Sequence, residues 1–141
     1  MGKIQVFLDT DVIISSLLSR TGASFEILKH PAVKKVISRA VKEELVIVAK
    51  RLKIEGHKTK KLVEDINSVT LGLTKSRIVK DYQQFVFDQQ DCHVVAGAKV
   101  SKSRFLLTHN LKHYRVDKIK TGLGIMVFKP GNFLQYLRSL N

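Results

Sequence analysis

Hydrophobic positions along this chain form short runs of strand length, separated by stretches with helical spacing. Ile4-Gln5-Val6-Phe7-Leu8 is a compact apolar run and predicts a buried strand. Val33 to Ile37, Phe105 to Thr108 and Ile125 to Phe128 predict three more, and Arg77 to Val79 a brief one. Asp11 is suited to cap a helix over Val12 to Leu18, with Gly22 beyond it as a stop. Ser24 can cap a short helix over Phe25 to Lys29 that ends before Pro31. Arg39 to Ile54 predicts an amphipathic helix with Val41, Leu45, Val48 and Leu52 on one face. Thr59 to Leu71 predicts a weaker helix ended by Gly72, and Asp91 to Val100 another. Asn132 can cap a last one through Leu137. Strands alternating with helices predict a three-layer α/β/α fold around a central, mostly parallel sheet of four to five strands. No repeat, low-complexity stretch or linker interrupts the alternation, so residues 1–141 predict one domain.

Acidic residues at element ends then become informative. Asp9 closes the first apolar run, and a second apolar segment, Val12-Ile13-Ile14, follows at once. A carboxylate there is costly to bury without a cation or hydrogen-bond partners. In open α/β sheets, ligands gather at the carboxyl ends of strands. Asp11 needs no role beyond helix capping. Glu43 and Glu44 are adjacent but separate on a helix. At ~100° per residue, Glu44 lies about 60° from the Val41 direction and Glu43 about 160°, so Glu44 is the one that reaches inward. Asp91 shares a face with Val94, Val95 and Ala98, which favours it over Asp88 as a site residue. Asn110 follows a strand, as Asp9 does, but brings no charge. Three inward carboxylates from distant segments suit a hard divalent cation such as Mg²⁺, which takes oxygen ligands and is completed by substrate phosphate.

Charge changes the picture further. Twenty-five Lys and Arg face twelve Asp and Glu, a formal net charge of +13. Such an excess favours a polyanion, most simply nucleic acid or an acidic protein. The single cysteine, Cys92, excludes an internal disulfide framework and suits a reducing cytosol. No apolar run approaches the ~20 residues of a membrane span.

Four blocks in order resemble the PIN domain, a nuclease fold found in VapC-type toxins and RNA-processing factors. They are Val6-Phe7-Leu8-Asp9-Thr10-Asp11-Val12-Ile13, Val36-Ile37-Ser38 through Glu44-Leu45, Asp91-Cys92-His93-Val94-Val95-Ala96-Gly97-Ala98, and Leu106-Leu107-Thr108-His109-Asn110-Leu111-Lys112. The close, Val127-Phe128-Lys129-Pro130-Gly131-Asn132-Phe133-Leu134, is similar to the family's last strand and helix start. The resemblance implies that Asp9, Glu44 and Asp91 bind Mg²⁺ or Mn²⁺. Asn110 stands in the place of a fourth acid, and Thr10 and Thr108 match polar positions that orient ligands or substrate. It also implies metal-dependent hydrolysis of RNA, with water as the nucleophile, and the toxin role of a toxin–antitoxin pair. Part of the apolar stretch Ile13, Ile14, Leu17, Leu18, Phe25 and Leu28 would then serve a homodimer or an antitoxin partner. Two departures stand out: Asn110 replaces an Asp, and His113 occupies a position that often holds another acid.

Other residues fill out the expectation. Arg104, Lys112 and Arg115 bracket the second strand end and are placed to hold phosphate, and His109 and His113 could join them. Lys50, Arg51, Lys53, Lys58, Lys60 and Lys61 form a dense basic stretch, a solvated face or an RNA-holding wall. Cys92 and His93 are adjacent on one helix and cannot face each other as a catalytic pair. Two other functions stay open: a non-catalytic RNA-binding scaffold on the same fold, and a haloacid-dehalogenase-type phosphatase. In the latter, Asp9 of the Asp-Thr-Asp opening would be the nucleophile.

Overall fold

The computed structural model describes residues 2–140. Its strands are β1 (Ile4–Leu8), β2 (Val33–Ser38), β3 (Asn67–Val69), β4 (Phe105–Leu107) and β5 (Met126–Phe128). Its α-helices are α1 (Thr10–Leu18), α2 (Ala23–Lys29), α3 (Arg39–Arg51), α4 (Gly56–Glu64), α5 (Lys75–Tyr82), α6 (Cys92–Val100), α7 (Val116–Leu123) and α8 (Pro130–Ser139). Every strand pairing is parallel, in the order β3-β2-β1-β4-β5. The chain builds outward from β1 through β2 to β3, then crosses back to place β4 and β5 on the other side. β1 and β4 therefore flank the point where strand order reverses, the crevice where ligands bind in such sheets.

Burial explains the strand runs. Val6, Phe7 and Leu8 are fully buried, as are Leu106 and Leu107 of β4, because a parallel sheet is covered on both faces. Phe7 points at α6, and only a glycine admits that approach. A Cβ at position 97 would run into the Phe7 ring. Across the sheet's far edge, Phe105, Phe128, Phe133 and Tyr136 cluster at 5.3–6.5 Å between ring centroids, fixing α8 to β4 and β5.

The structure corrects the pattern reading at identifiable places. Thr59 to Leu71 is not one helix: α4 ends at Glu64, and Asn67–Val69 becomes β3. That strand is short, with two exposed polar residues and only Val69 partly packed on the core, and backbone pairing to β2 is what recruits it. Arg77 to Val79 is not a strand. It lies in α5, whose first turn is capped by the Thr74 hydroxyl accepting from Arg77 N at 3.2 Å. Helix α7 carries Val116, Ile119 and Leu123 at helical spacing and ends at Gly124, in the left-handed region at φ 69°. No element was expected there. α1 is capped by Asp9 rather than Asp11, α2 follows Gly22 rather than a Ser24 cap, and α8 starts at Pro130 rather than beyond Asn132. Proline suits that first position because its missing N–H would be unpaired anyway. On α3 the buried face is Val41, Leu45 and Ala49, while Leu52 lies past the helix end and is half exposed.

Gly97→Ala should lower stability by about 1–3 kcal/mol, since the new methyl group must displace Phe7 or lift α6 from the sheet. Urea unfolding measures it; an unchanged midpoint would show that this contact is not tight.

Candidate active site

β1 and β4 run in register, with Leu8 opposite Leu107. Asp9 and Thr108 therefore emerge side by side at the carboxyl ends of the two central strands. Asp9 N donates to Leu107 O at 3.0 Å, which locks the two exits together. The Asp9 carboxylate is buried and richly bonded. Its Oδ1 accepts from Thr10 N at 2.8 Å, and its Oδ2 accepts from the Thr108 hydroxyl at 3.0 Å and from the Tyr114 hydroxyl at 2.7 Å. Oδ2 thus has two donors and Oδ1 one, which leaves acceptor capacity on Oδ1. Tyr114 is itself buried, and burial together with the Asp9 charge pushes its phenol well above the ordinary range, so it stays a donor.

Asp11 does not cap α1. From the first turn it reaches across to the loop after β4. It accepts from His109 N at 3.2 Å, from Asn110 Nδ2 at 2.9 Å and from the Thr108 hydroxyl at 3.2 Å. Thr108 has one proton for two carboxylates, so Asp9 and Asp11 compete for it. Burial first, and the Asp9 charge second, push the Asp11 carboxyl up to about 6, against those hydrogen bonds and His113.

Glu44 lies on α3 and is held by His93, whose Nε2 stands 3.2 Å from Glu44 Oε2. That bond, assisted by the nearby Thr10 hydroxyl, keeps the Glu44 carboxyl below its ordinary value despite burial. His93 Nδ1 is buried with no hydrogen-bond partner among the described residues. Glu43 faces outward and pairs with Arg39 at 3.4 Å on the surface. Asp88 serves the turn before α6, accepting from Gln90 N at 2.9 Å. Asp91 caps nothing with its side chain. It stands 3.7 Å from His113 Nδ1, and burial and then the Asp9 charge raise its carboxyl.

Asp9, Thr10, Asp11, Glu44, Asp91, Asn110 and His113 all line one cleft of about 470 Å³ at the switch point. Four carboxylates from three separated stretches of chain share it, yet among the described residues no three His, Cys, Asp or Glu side chains converge at metal-ligand spacing. The donor set still suits a hard divalent cation. It is all oxygen, and the Asp9 charge that raises Asp11 and Asp91 is a repulsion that a cation removes.

The remaining sequence-selected residues divide. Thr108 sits behind the cleft as a hydrogen-bond hub. Lys112 and Arg115 lie in the exposed loop beyond it. Arg104 does not bracket the cleft: it precedes β4, at the opposite end of the strand, beside Lys3, Gln5 and Lys102. His109 turns away and bonds Ser24 at 3.0 Å, whereas His113 faces the cleft. Asp11, Tyr114 and His93 enter the site without having been singled out for it. Asp11 looked sufficient as a cap. Tyr114 carries no local signal, apart from the general one that a buried Asp9 requires donors.

A fully parallel α/β sheet with an acidic cleft at its switch point defines the frame. The PIN domain family model matches residues 5–112, and the chain belongs to that family. The fold is also that of solved toxin–antitoxin structures. One is a toxin–antitoxin complex from Klebsiella pneumoniae, with TM-score 0.66 and 21% identity, covering 89% of this chain and 97% of that one. Another is VapBC-1 from nontypeable Haemophilus influenzae, with TM-score 0.63 and 18% identity, covering 91% and 99%. A third is VapBC2 from Rickettsia felis bound to a promoter DNA fragment, with TM-score 0.62 and 11% identity, covering 89% and 98%. A comparison with curated proteins found no match. No helix among the described residues is long and apolar enough to cross a membrane.

The Asp11 shift has a definite sign. The folded chain keeps this proton to higher pH than the unfolded chain, so stability falls as pH rises from about 3.8 toward about 6. The loss is on the order of 2–3 kcal/mol. In chelator-containing buffer, Asp11→Asn should be less sensitive to pH across that window than the native chain, as read from urea midpoints. Equal slopes would show that Asp11 ionises normally.

Proposed function

We propose that this chain is an endoribonuclease dependent on Mg²⁺ or Mn²⁺ and the toxin of a toxin–antitoxin pair. The observation that carries the reading is the shared cleft: Asp9, Asp11, Glu44 and Asp91 line it on a chain of net charge +13. Asp9, Glu44 and Asp91 would hold the cation. When bound, it would neutralise their mutual repulsion, activate water and offset charge developing on a phosphodiester.

The chain's own residues define the rest. Thr108 and Tyr114 fix the Asp9 carboxylate from behind, which leaves its less occupied oxygen for the ligand. Asn110 ties Asp11 to the loop after β4, so both strand exits move as a unit. His93 and His113 stand against Glu44 and Asp91. Lys112 and Arg115 on the adjoining loop would hold the phosphates that flank the scissile bond, and the basic surface would draw in the polyanion. The same positive excess suits an acidic neutralising partner. The fold shared with toxin–antitoxin structures supports an antitoxin, and a neighbouring gene encoding a small protein that suppresses the chain's toxicity would test this.

Asp9→Ala and Asp91→Ala should abolish RNA cleavage, and chelation should do the same reversibly. Tyr114→Phe should lower it about 10–100-fold, the usual cost of removing a group that orients a metal ligand. Arg104→Ala, remote from the cleft, should leave it unchanged. Titration calorimetry with Mn²⁺ supplies a readout separate from activity: uptake by the native chain and none by Asp91→Asn. Full cleavage by the Asp9 and Asp91 variants would overturn the reading.

A non-catalytic RNA-binding scaffold is favoured by two observations: each of Glu44 and Asp91 already has a histidine neighbour, and among the described residues no three ligand-type side chains converge. RNA binding without Mn²⁺ uptake, and without cleavage in millimolar Mn²⁺, would select that alternative.

A further inference from the structure

Phe87 is 63% exposed. It is not a loose tip. The Arg115 guanidinium lies over its ring at 4.4 Å from the centroid. The backbone beneath is clamped. Val86 bridges Tyr114 in antiparallel fashion, Phe87 N donates to His113 O at 3.2 Å, and Arg115 N donates to Phe85 O at 2.9 Å. This clamp also holds the cleft residues, because Tyr114 donates to Asp9 and His113 faces Asp91. Only three residues of chain lie between Phe87 and Asp91, at most ~14 Å of reach, and a turn closed by Asp91 N donating to Asp88 O at 3.0 Å shortens it.

We propose that Phe87, backed by Arg115, is a nucleobase-stacking platform that seats single-stranded RNA beside the acidic cleft. The ligand class rests on the ribonuclease reading above; the platform itself rests on the clamp and the exposed ring. A protein interface would surround such a ring with other apolar side chains. Here the ring's recorded contact is the Arg115 guanidinium, with Lys112 close along the chain, while exposed Val46 and Ile47 belong to α3 and Leu18 to the α1 side of the cleft. An aromatic face joined to a cation is the arrangement that accepts a base of any identity and a phosphate together. A strand held there with a phosphate over the cleft keeps one base on the ring, and the cations of the loop follow its backbone.

The test is binding of a fluorescein-labelled single-stranded RNA decamer to the full chain in chelator, where cleavage is silent. Phe87→Ala and Phe87→Leu should both weaken binding about tenfold, within the ~5- to 150-fold that one base–aromatic stack is worth. Leucine keeps the apolar volume but lacks the π face. Phe87→Trp should bind at least as tightly. The chain has no tryptophan, so emission from this single reporter should be quenched on RNA addition and much less by a decamer lacking bases. Thermal melting of each variant should match the native chain, since the ring is largely exposed. Native-like binding by Phe87→Leu overturns the platform. So does unaltered RNA binding by Phe87→Ala with loss of self-association in ultracentrifugation, which assigns the ring to a protein contact. If Phe87 variants bind normally while Asp9→Ala abolishes cleavage, the platform falls and the nuclease stands. If the native chain binds no RNA, both fall.

Discussion

Burying Asp9 at the end of a central strand is the constraint from which the local architecture follows. A carboxylate in that position must be paired or hydrogen-bonded. The chain answers with three donors drawn from its own helix start, from the exit of β4 and from a residue more than a hundred positions away. The loop after β4, the short bridge between Val86 and Tyr114 and the opening of α1 are thereby tied to one side chain. Asp11 adds a second tie to the same loop, at the expense of crowding two carboxylates around one Thr108 proton.

That crowding sets the electrostatic character of the molecule. Acidic groups are concentrated in a recess of a strongly basic chain, and their neighbours hold them at different readiness. Glu44 is kept ionised by His93, whereas Asp11 and Asp91 are pushed toward their protonated forms by burial and by Asp9. A cation entering the recess would reverse the second effect. His93 and His113 already stand beside Glu44 and Asp91 without it.

The central sheet and the placement of Asp9, Glu44 and Asp91 along one cleft were legible in the sequence for physical reasons. Buried parallel strands leave concentrated apolar runs, and an acid pressed between two such segments is costly to bury without partners. Helical angles separate Glu44 from Glu43, and an inward apolar face marks Asp91. The family blocks were legible on the same residues. What escaped lies where tertiary pairing overrides local pattern. β3 is mostly polar and is recruited by the edge that β2 offers. Three β-branched or charged residues at Arg77 to Val79 mimic a strand inside α5. Arg104 is adjacent in sequence to β4, but a strand carries its two ends to opposite sides of the sheet, so closeness along the chain misled. Tyr114 and His93 are visible only as answers to buried acids elsewhere.

Anomalous diffraction from crystals grown with Mn²⁺ tests the central claim most directly. The account predicts one strong peak in the cleft, with carboxylate oxygens of Asp9, Glu44 and Asp91 at about 2.1 Å, and movement of Glu44 away from His93. A chain saturated with Mn²⁺ that shows no peak there, or that holds the ion on residues outside positions 9, 44 and 91, would contradict it.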